Sequence, residues 1–265
     1  KVERQMSIRK VGGVDLWVEQ GGSGNGPTLL LMHGLSGTGG VWNGLRPLLE
    51  KYWPGSWVIP DLRGHGRSAH SENYGIACHA TDMAELVQGS DKLYLAGHSM
   101  GGLVGILMAS GWFGVAPKAV VTAGVKLNWT EKEYLGLKKL IEMPVRWFKT
   151  EKEARERFVL VTGLRGVIDP ASEFARTGIR QEKGKWRLAA DNRTAMVAYA
   201  DAPDIYNAAR SPITLAAGEF DQMVSAAALK VLNPLAEEIP GLGHNLHVEN
   251  PSAFWKLISK TTGLN

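Results

Sequence analysis

The sequence is poor in several things, and each shortage excludes a class of protein. One cysteine, Cys78, occurs in 265 residues, so no disulfide forms within the chain. A single thiol fits a reducing, cytoplasmic compartment. No run of eighteen apolar residues is present, which excludes a membrane-spanning helix. The first ten residues, KVERQMSIRK, are charged and lack the apolar stretch of a signal peptide; they do not begin with Met, as in a trimmed chain. HExxH and CxxC spacings are missing, so neither a metal nor another cofactor is expected. Charge of one sign is scarce: 30 Lys and Arg face 26 Asp and Glu, for a net +4. Residues 126–208 hold sixteen basic and twelve acidic residues, so the excess lies there, in clusters of mixed sign. A nucleic-acid surface would be more one-sided. The expected partner is a small molecule, not a nucleic acid or a membrane.

What the chain has in quantity is short apolar runs bounded by turn residues. Hydrophobic residues make up 44 % of it, enough for one large core. SIRKVGGVDLWVEQ (7–20) reads as a hairpin turning at Gly12-Gly13. TLLLMH (28–33), SWVIP (56–60), KLYLAG (92–97), KAVVTAG (118–124) and SPITLAAG (211–218) read as strands buried on both faces, with a further strand at 235–239. Helical stretches at 41–51, 76–89 and 99–110 separate them, and 225–232 and 251–260 close the chain as helices. The alternation predicts an α/β fold with a parallel sheet. From 126 to 208 the rhythm stops. Thr130-x-x-Glu133 and Thr150-x-x-Glu153 have capping-box spacing, and Asp169-Pro170 reads as another helix start. This segment is expected to be helical, without a strand. Residues 1–125 and 209–265 would then form a core interrupted by a helical insertion.

The run LYLAGHSMGG (93–102) places Ser99 between Gly97 and Gly101, where a strand gives way to a helix. A serine hydroxyl attacks a carbonyl only if a base takes its proton and donors hold the oxyanion. A tight strand-to-helix turn lifts the serine above the sheet and aims a helix N-terminus at the reacting carbonyl. The expected base is His244, in GLGHNLH (241–247), preferred to His247 because Gly241 and Gly243 give it an exposed loop. His247 is expected to pack the final helix. The acid that orients the imidazole is expected at Asp221, past the strand ending at Gly218, in preference to Glu219. Met100 N–H and Leu35 N–H are the candidate oxyanion donors. Gly34 permits the turn carrying Leu35, and His33 is expected to shape that loop. DLRGHGRS (61–68) lacks the Lys-Ser/Thr ending of a phosphate loop and reads as a hydrogen-bonded surface turn. His98 is expected to be buried support and Cys78 a small packed residue. Trp129, Tyr134, Trp147 and Phe148 are candidate walls of an apolar substrate pocket.

These pieces together resemble the α/β-hydrolase family. HG at 33–34, DLRGHGRS at 61–68, GHSMGG at 97–102, GEFD at 218–221 and GLGHNLHVENP at 241–251 carry the resemblance. It implies an eight-stranded, mostly parallel sheet, a triad of Ser99, His244 and Asp221, and a lid at 126–208 between the sixth and seventh strands. Dehalogenases and epoxide hydrolases of that family have aspartate where this chain has Ser99. The resemblance therefore leaves serine chemistry, with carboxylic ester hydrolysis foremost. Lactone, amide or C–C bond hydrolysis, or a small-molecule receptor with residual hydrolysis, are the alternatives.

Overall fold

A computed structural model describes residues 4–264. The elements run β1 (Gln5–Val11), β2 (Val14–Gly22), β3 (Thr28–Met32), α1 (Arg46–Tyr52), β4 (Ser56–Pro60), α2 (Ile76–Leu86), β5 (Leu93–His98), α3 (Met100–Met108) and β6 (Ala119–Ala123). Then follow α4 (Glu131–Glu142), α5 (Glu151–Val161), α6 (Glu173–Thr177), β7 (Ile179–Glu182), β8 (Lys185–Leu188) and α7 (Ala202–Ala208). The chain closes with β9 (Ile213–Gly218), α8 (Ala226–Lys230), β10 (Glu237–Ile239), α9 (Leu246–Glu249) and α10 (Pro251–Thr262).

Eight strands form one sheet in the order β1-β2-β4-β3-β5-β6-β9-β10. The pairings β1–β2 and β2–β4 are antiparallel, and the rest are parallel. The β1–β2 turn is Gly12-Gly13, both at positive φ (54° and 76°), as a two-residue hairpin with right-handed twist requires. Strand β3 shows why its run is apolar throughout. Leu29 and Leu31 face a cluster with Trp42, Trp57 and the α10 residues Phe254, Leu257 and Ile258. Leu30 and Met32 face the opposite cluster, with Met83 of α2 and Val104 of α3. Helices thus flank the sheet on both sides, and each strand position has a core to enter.

The expected helix at 41–51 is divided. A 3-10 turn (Gly39–Trp42), N-capped by Thr38, precedes α1, which has Pro47 in its first turn. Both capping boxes form, Thr130 with Glu133 and Thr150 with Glu153, and each carboxylate reaches back to the cap N–H. No helix starts at Asp169-Pro170. Asp169 accepts from Ala171 N–H in a turn, and Ser172 caps α6 instead.

The expectation that 126–208 lacks strands is also wrong. Strands β7 and β8 form an antiparallel hairpin turning at Lys183-Gly184, both at positive φ (49° and 75°). Its residues are short and charged, IRQE and KWRL, so alternation was faint. Tertiary pairing supports the hairpin: Phe148 N–H donates to Trp186 O (2.7 Å), and Trp186 N–H donates back to Phe148 O (3.0 Å). The segment adds no strand to the main sheet. It packs on loops leaving the C-terminal ends of the parallel strands. Thr177 Oγ1 meets Thr38 Oγ1 at 2.7 Å, Arg180 donates to Gly66 O at 3.0 Å, and Thr162 O accepts from Asn245 Nδ2 at 3.0 Å.

Candidate active site

Ser99 sits between β5 and α3 with φ 48° and ψ −114°, a conformation costing a non-glycine residue roughly 1–3 kcal/mol. The turn is held from both sides. Ser99 N–H donates to Ala123 O of β6 (2.8 Å), and Ser99 O accepts from Leu103 N–H (3.1 Å) to start α3. The closeness of strand and helix explains the flanking glycines. A Cβ at 97 would stand 2.5 Å from the carbonyl of Gly101, and one at 101 would stand 2.3 Å from Met32 O. His98 and Met100 are buried beside a half-exposed Ser99.

The hydrogen bond to Ala123 puts Ser99 at the end of β6, where the histidine and the acid meet the next residue. A Cβ on Gly124 would lie 2.9 Å from His244 Cε1 and 3.4 Å from Asp221 Oδ2. His244 Nδ1–H donates to Asp221 Oδ2 at 2.8 Å. Asp221 Oδ1 accepts from Met223 N–H (2.8 Å) and Val224 N–H (3.0 Å), so both oxygens of this buried carboxylate are occupied and its plane is fixed. The proton on Nδ1 leaves Nε2 as the basic nitrogen. Glu219, the competing acid, instead accepts from Gly241 N–H (2.8 Å) at the surface. His247 is fully buried, packs on Trp42 (centroids 4.7 Å apart) and Phe254 (6.1 Å), and is pushed to a pKa of about 3 by burial. A group held neutral in that setting is a packing residue. His98 is buried too; its Nε2–H donates to His244 O (3.0 Å), so it supports the histidine loop from below.

The loop after β3 lies against the serine turn. A Cβ on Gly34 would fall 2.6 Å from His98 Nδ1 and 3.3 Å from Ser99 Cβ. Gly37 N–H donates to Gly34 O (3.0 Å), closing a turn that presents Leu35, and Ser36 follows at φ 62°. Met100 opens α3, so its N–H belongs to the first turn, where no intrahelical carbonyl is in reach. His33 stitches the loop down. Its Nε2 accepts from Leu62 N–H (2.9 Å), so the proton is on Nδ1, which donates to Gly34 O (2.8 Å). Burial holds this imidazole below its ordinary pKa, in the neutral form that the bridge requires.

DLRGHGRS is no surface turn. Asp61, His65 and Ser68 are buried, and the charges are answered internally. Asp61 accepts from Gly39 N–H (2.7 Å) and from Arg67 Nε (2.7 Å), while Arg63 grips Asp82 with two bonds of 2.6 Å. The segment ties the β3 and β4 loops together. Cys78 is partly buried on α2.

The four candidate pocket aromatics divide. Trp129 and Tyr134 pack on a cluster of Leu137, Ala195 and Ala198, and Leu35 packs on the same cluster. Trp147 and Phe148 do not join them. Trp147 is 41 % exposed, with Arg187 5.9 Å over its ring. Phe148 is buried with Phe158 and Phe174 and borders a separate cavity of about 650 Å³ that Arg146, Arg157 and Arg165 also line. A smaller cavity of about 300 Å³ opens beside Asp221, lined by Lys126, Asn128 and Met223. Nothing in the sequence pattern singles out Lys126. It is paired with Glu133 (2.5 Å) and lies 5.0 Å over Trp129. Among the described residues no group of three or more His, Cys, Asp or Glu could hold a metal ion, and no helix is long and apolar enough to cross a membrane.

Comparison with known proteins bears on the fold and family of the chain. Over 256 residues the chain is 26 % identical to the pimeloyl-[acyl-carrier protein] methyl ester esterase of Aeromonas hydrophila, covering 91 % of this chain and 97 % of that one. A shorter stretch of 105 residues is 36 % identical to the magnesium-chelatase 30 kDa subunit of Rhodobacter capsulatus, covering 38 % of this chain. The chain spans between 26 % and 36 % of the length of the first curated relatives it matches. The structure of E-2-(acetamidomethylene)succinate hydrolase superposes with a TM-score of 0.82 at 23 % identity, over 98 % of this chain and all of that one. The thioesterase domain from the curacin biosynthetic pathway superposes with a TM-score of 0.78 at 21 % identity, over 97 % of this chain and 99 % of that one. The profile of the alpha/beta hydrolase family matches residues 29–257, and with the eight-stranded sheet it establishes that the chain belongs to that family.

Proposed function

We propose that this hydrolase cleaves a carboxylic ester of a small, partly apolar molecule through an acyl-enzyme formed on Ser99. One observation carries the reading: a strained Ser99 in the β5–α3 turn, bonded to Ala123 at the end of β6, where the next residue, Gly124, adjoins an imidazole whose Nδ1 is bound by a fully hydrogen-bonded Asp221. His244 Nε2 takes the Ser99 proton as Oγ attacks the carbonyl carbon. Asp221 steadies the imidazolium. Leu35 and Met100 N–H hold the oxyanion, and His244 then gives its proton to the leaving alcohol. Water, deprotonated by the same nitrogen, releases the acid and restores Ser99. The family resemblance gives dehalogenases an aspartate nucleophile, and this chain has Ser99 there. The full-length similarity to an ester hydrolase supports the ester over other acyl bonds.

Residues 126–208 act as the lid in this reading, with Trp129 and Tyr134 lining the acyl or alcohol site beside Leu35. C–C bond hydrolysis would want an arginine for the substrate carboxylate, and Arg146, Arg165, Arg176 and Arg180 are the candidates in the insertion. Arg180 donates to Gly66 O and Ser68 O and Arg176 lies 3.7 Å from Glu151, while Arg146 and Arg165 line the cavity bordered by Phe148. The test is a panel of esters, lactones, amides and ring-cleavage diketo acids, run with wild type and Ser99→Ala. Turnover of esters by the wild type alone is expected. Equal turnover by Ser99→Ala would overturn the reading, and preference for another bond type would move the substrate class.

A further inference from the structure

The main chain around His244 is held more tightly than the triad alone demands, and the extra hold comes from one carboxylate. Glu249 ends the short helix α9 and points back along it. Its Oε2 accepts from Gly243 N–H (2.7 Å) and its Oε1 from Asn245 N–H (3.1 Å). These N–H groups belong to the two residues on either side of His244. The carbonyl of His244 itself is bound by His98 Nε2–H (3.0 Å). Three consecutive residues are therefore anchored through their backbones. Both Glu249 bonds join a carboxylate to an N–H, the stronger, charge-assisted kind. The seat is built for the carboxylate: a Cβ at 243 would come within 3.0 Å of Glu249 Oε1. Asn245, the residue where a side-chain cap for α9 is expected, makes none. Its amide donates to Thr162 O (3.0 Å) and Gly163 O (3.3 Å) at the end of α5. The carboxylate thus does at this loop what neither the cap residue nor Asp221 does, which is to fix where the Cα of His244 stands.

We propose that Glu249 is the positioning residue for the catalytic imidazole, clamping the backbone N–H groups of its neighbours Gly243 and Asn245 so that Nε2 points at Ser99. The proposal rests on the assignment of Ser99 and His244 as nucleophile and base. Asp221 controls rotation of the ring; Glu249 controls the placement of the backbone that carries it. A displacement near 1 Å at such a base costs roughly a hundredfold in rate. A plain helix cap would contribute to stability and leave turnover alone.

The experiment compares wild type, Glu249→Gln, Glu249→Asp, Ser99→Ala and His244→Ala in 4-nitrophenyl acetate hydrolysis, in the rate of Ser99 labelling by a fluorophosphonate, and in urea unfolding. Glu249→Gln, which loses the charge and turns one acceptor into a donor, is expected to lower kcat roughly 10- to 100-fold with KM within about twofold. The labelling rate is expected to fall in parallel, and Glu249→Asp to recover part of the loss. A folded Glu249→Gln protein with kcat within about twofold of wild type overturns the proposal. If that variant does not fold, Glu249→Asp decides by the same criterion. Should Ser99→Ala and His244→Ala keep wild-type turnover, the nucleophile and base assignment fails and the clamp with it. Should those two be inactive while both Glu249 variants match wild type, the clamp alone fails.

Discussion

Acid should destabilise this protein steeply, because burial keeps most of its histidines neutral. His65 and His247 are pushed down to a pKa of about 3, and His79 and His98 lie well below their ordinary value, in every case chiefly by burial. Unfolding returns each to water and to a pKa near 6.5. Between pH 6.5 and the folded values the unfolded chain binds more protons, so stability rises with pH there and is flat above. Once the folded pKa is well below the working pH, only the unfolded value sets the cost. At pH 5.5 that cost is about 1.4 kcal/mol per histidine relative to pH 7.5, from RT ln(1 + 10). Four such groups give roughly 5–6 kcal/mol, comparable with the whole stability of a typical domain. Urea unfolding followed by tryptophan fluorescence at pH 7.5, 6.5 and 5.5 measures it. A midpoint that collapses below pH 6.5 with an unchanged m-value is expected. Equal unfolding free energies at pH 7.5 and 5.5 would refute the reasoning, because the buried imidazoles would then have to accept protons in the folded state.

Three further outcomes follow from the site. Gly124→Ala places a Cβ against His244 Cε1 at a residue with φ 65°. It should lower kcat about tenfold or more and stability by about 1–2 kcal/mol, read by steady-state kinetics and urea unfolding; unchanged kcat would mean that the imidazole does not sit there during turnover. Trp129→Ala should raise KM about tenfold for the best ester of the panel while Trp147→Ala leaves it within about twofold, since only the first packs on the same cluster as Leu35. The reverse pattern would move the pocket to the other side of the insert.

Much of the fold was legible because its strands are apolar on both faces and end at glycine or proline. The boundaries of β4 were read from SWVIP as they stand, and the β1–β2 turn from Gly12-Gly13. The β7–β8 hairpin was illegible because its residues are polar, and because pairing with the Phe148 segment, far away in sequence, supports it. DLRGHGRS misled for a related reason. Four charged or imidazole groups in eight residues suggest solvent, and only the folded chain supplies the buried partners, Asp82 and the Gly39 N–H among them. At the candidate site, turn residues after strands marked Ser99, Asp221 and His244, and the structure joins His244 to Asp221 beside Gly124. Trp147 and Phe148 were not separable from Trp129 and Tyr134, since aromatic content does not say which side of the insert a ring faces. Glu249 is not legible in the sequence because its bonds are to backbone N–H groups, which leave no mark on side-chain pattern.

The central claim is that Ser99 Oγ attacks the substrate with His244 as its base. Its most direct measurement is intact-protein and peptide mass spectrometry after treatment with a fluorophosphonate, whose phosphorus stands in for the carbonyl carbon under attack. One adduct is expected per chain, on the peptide carrying Ser99, with labelling lost in Ser99→Ala and slowed at least about a thousandfold in His244→Ala. An adduct elsewhere, or labelling of Ser99 at the wild-type rate in His244→Ala, would contradict the account.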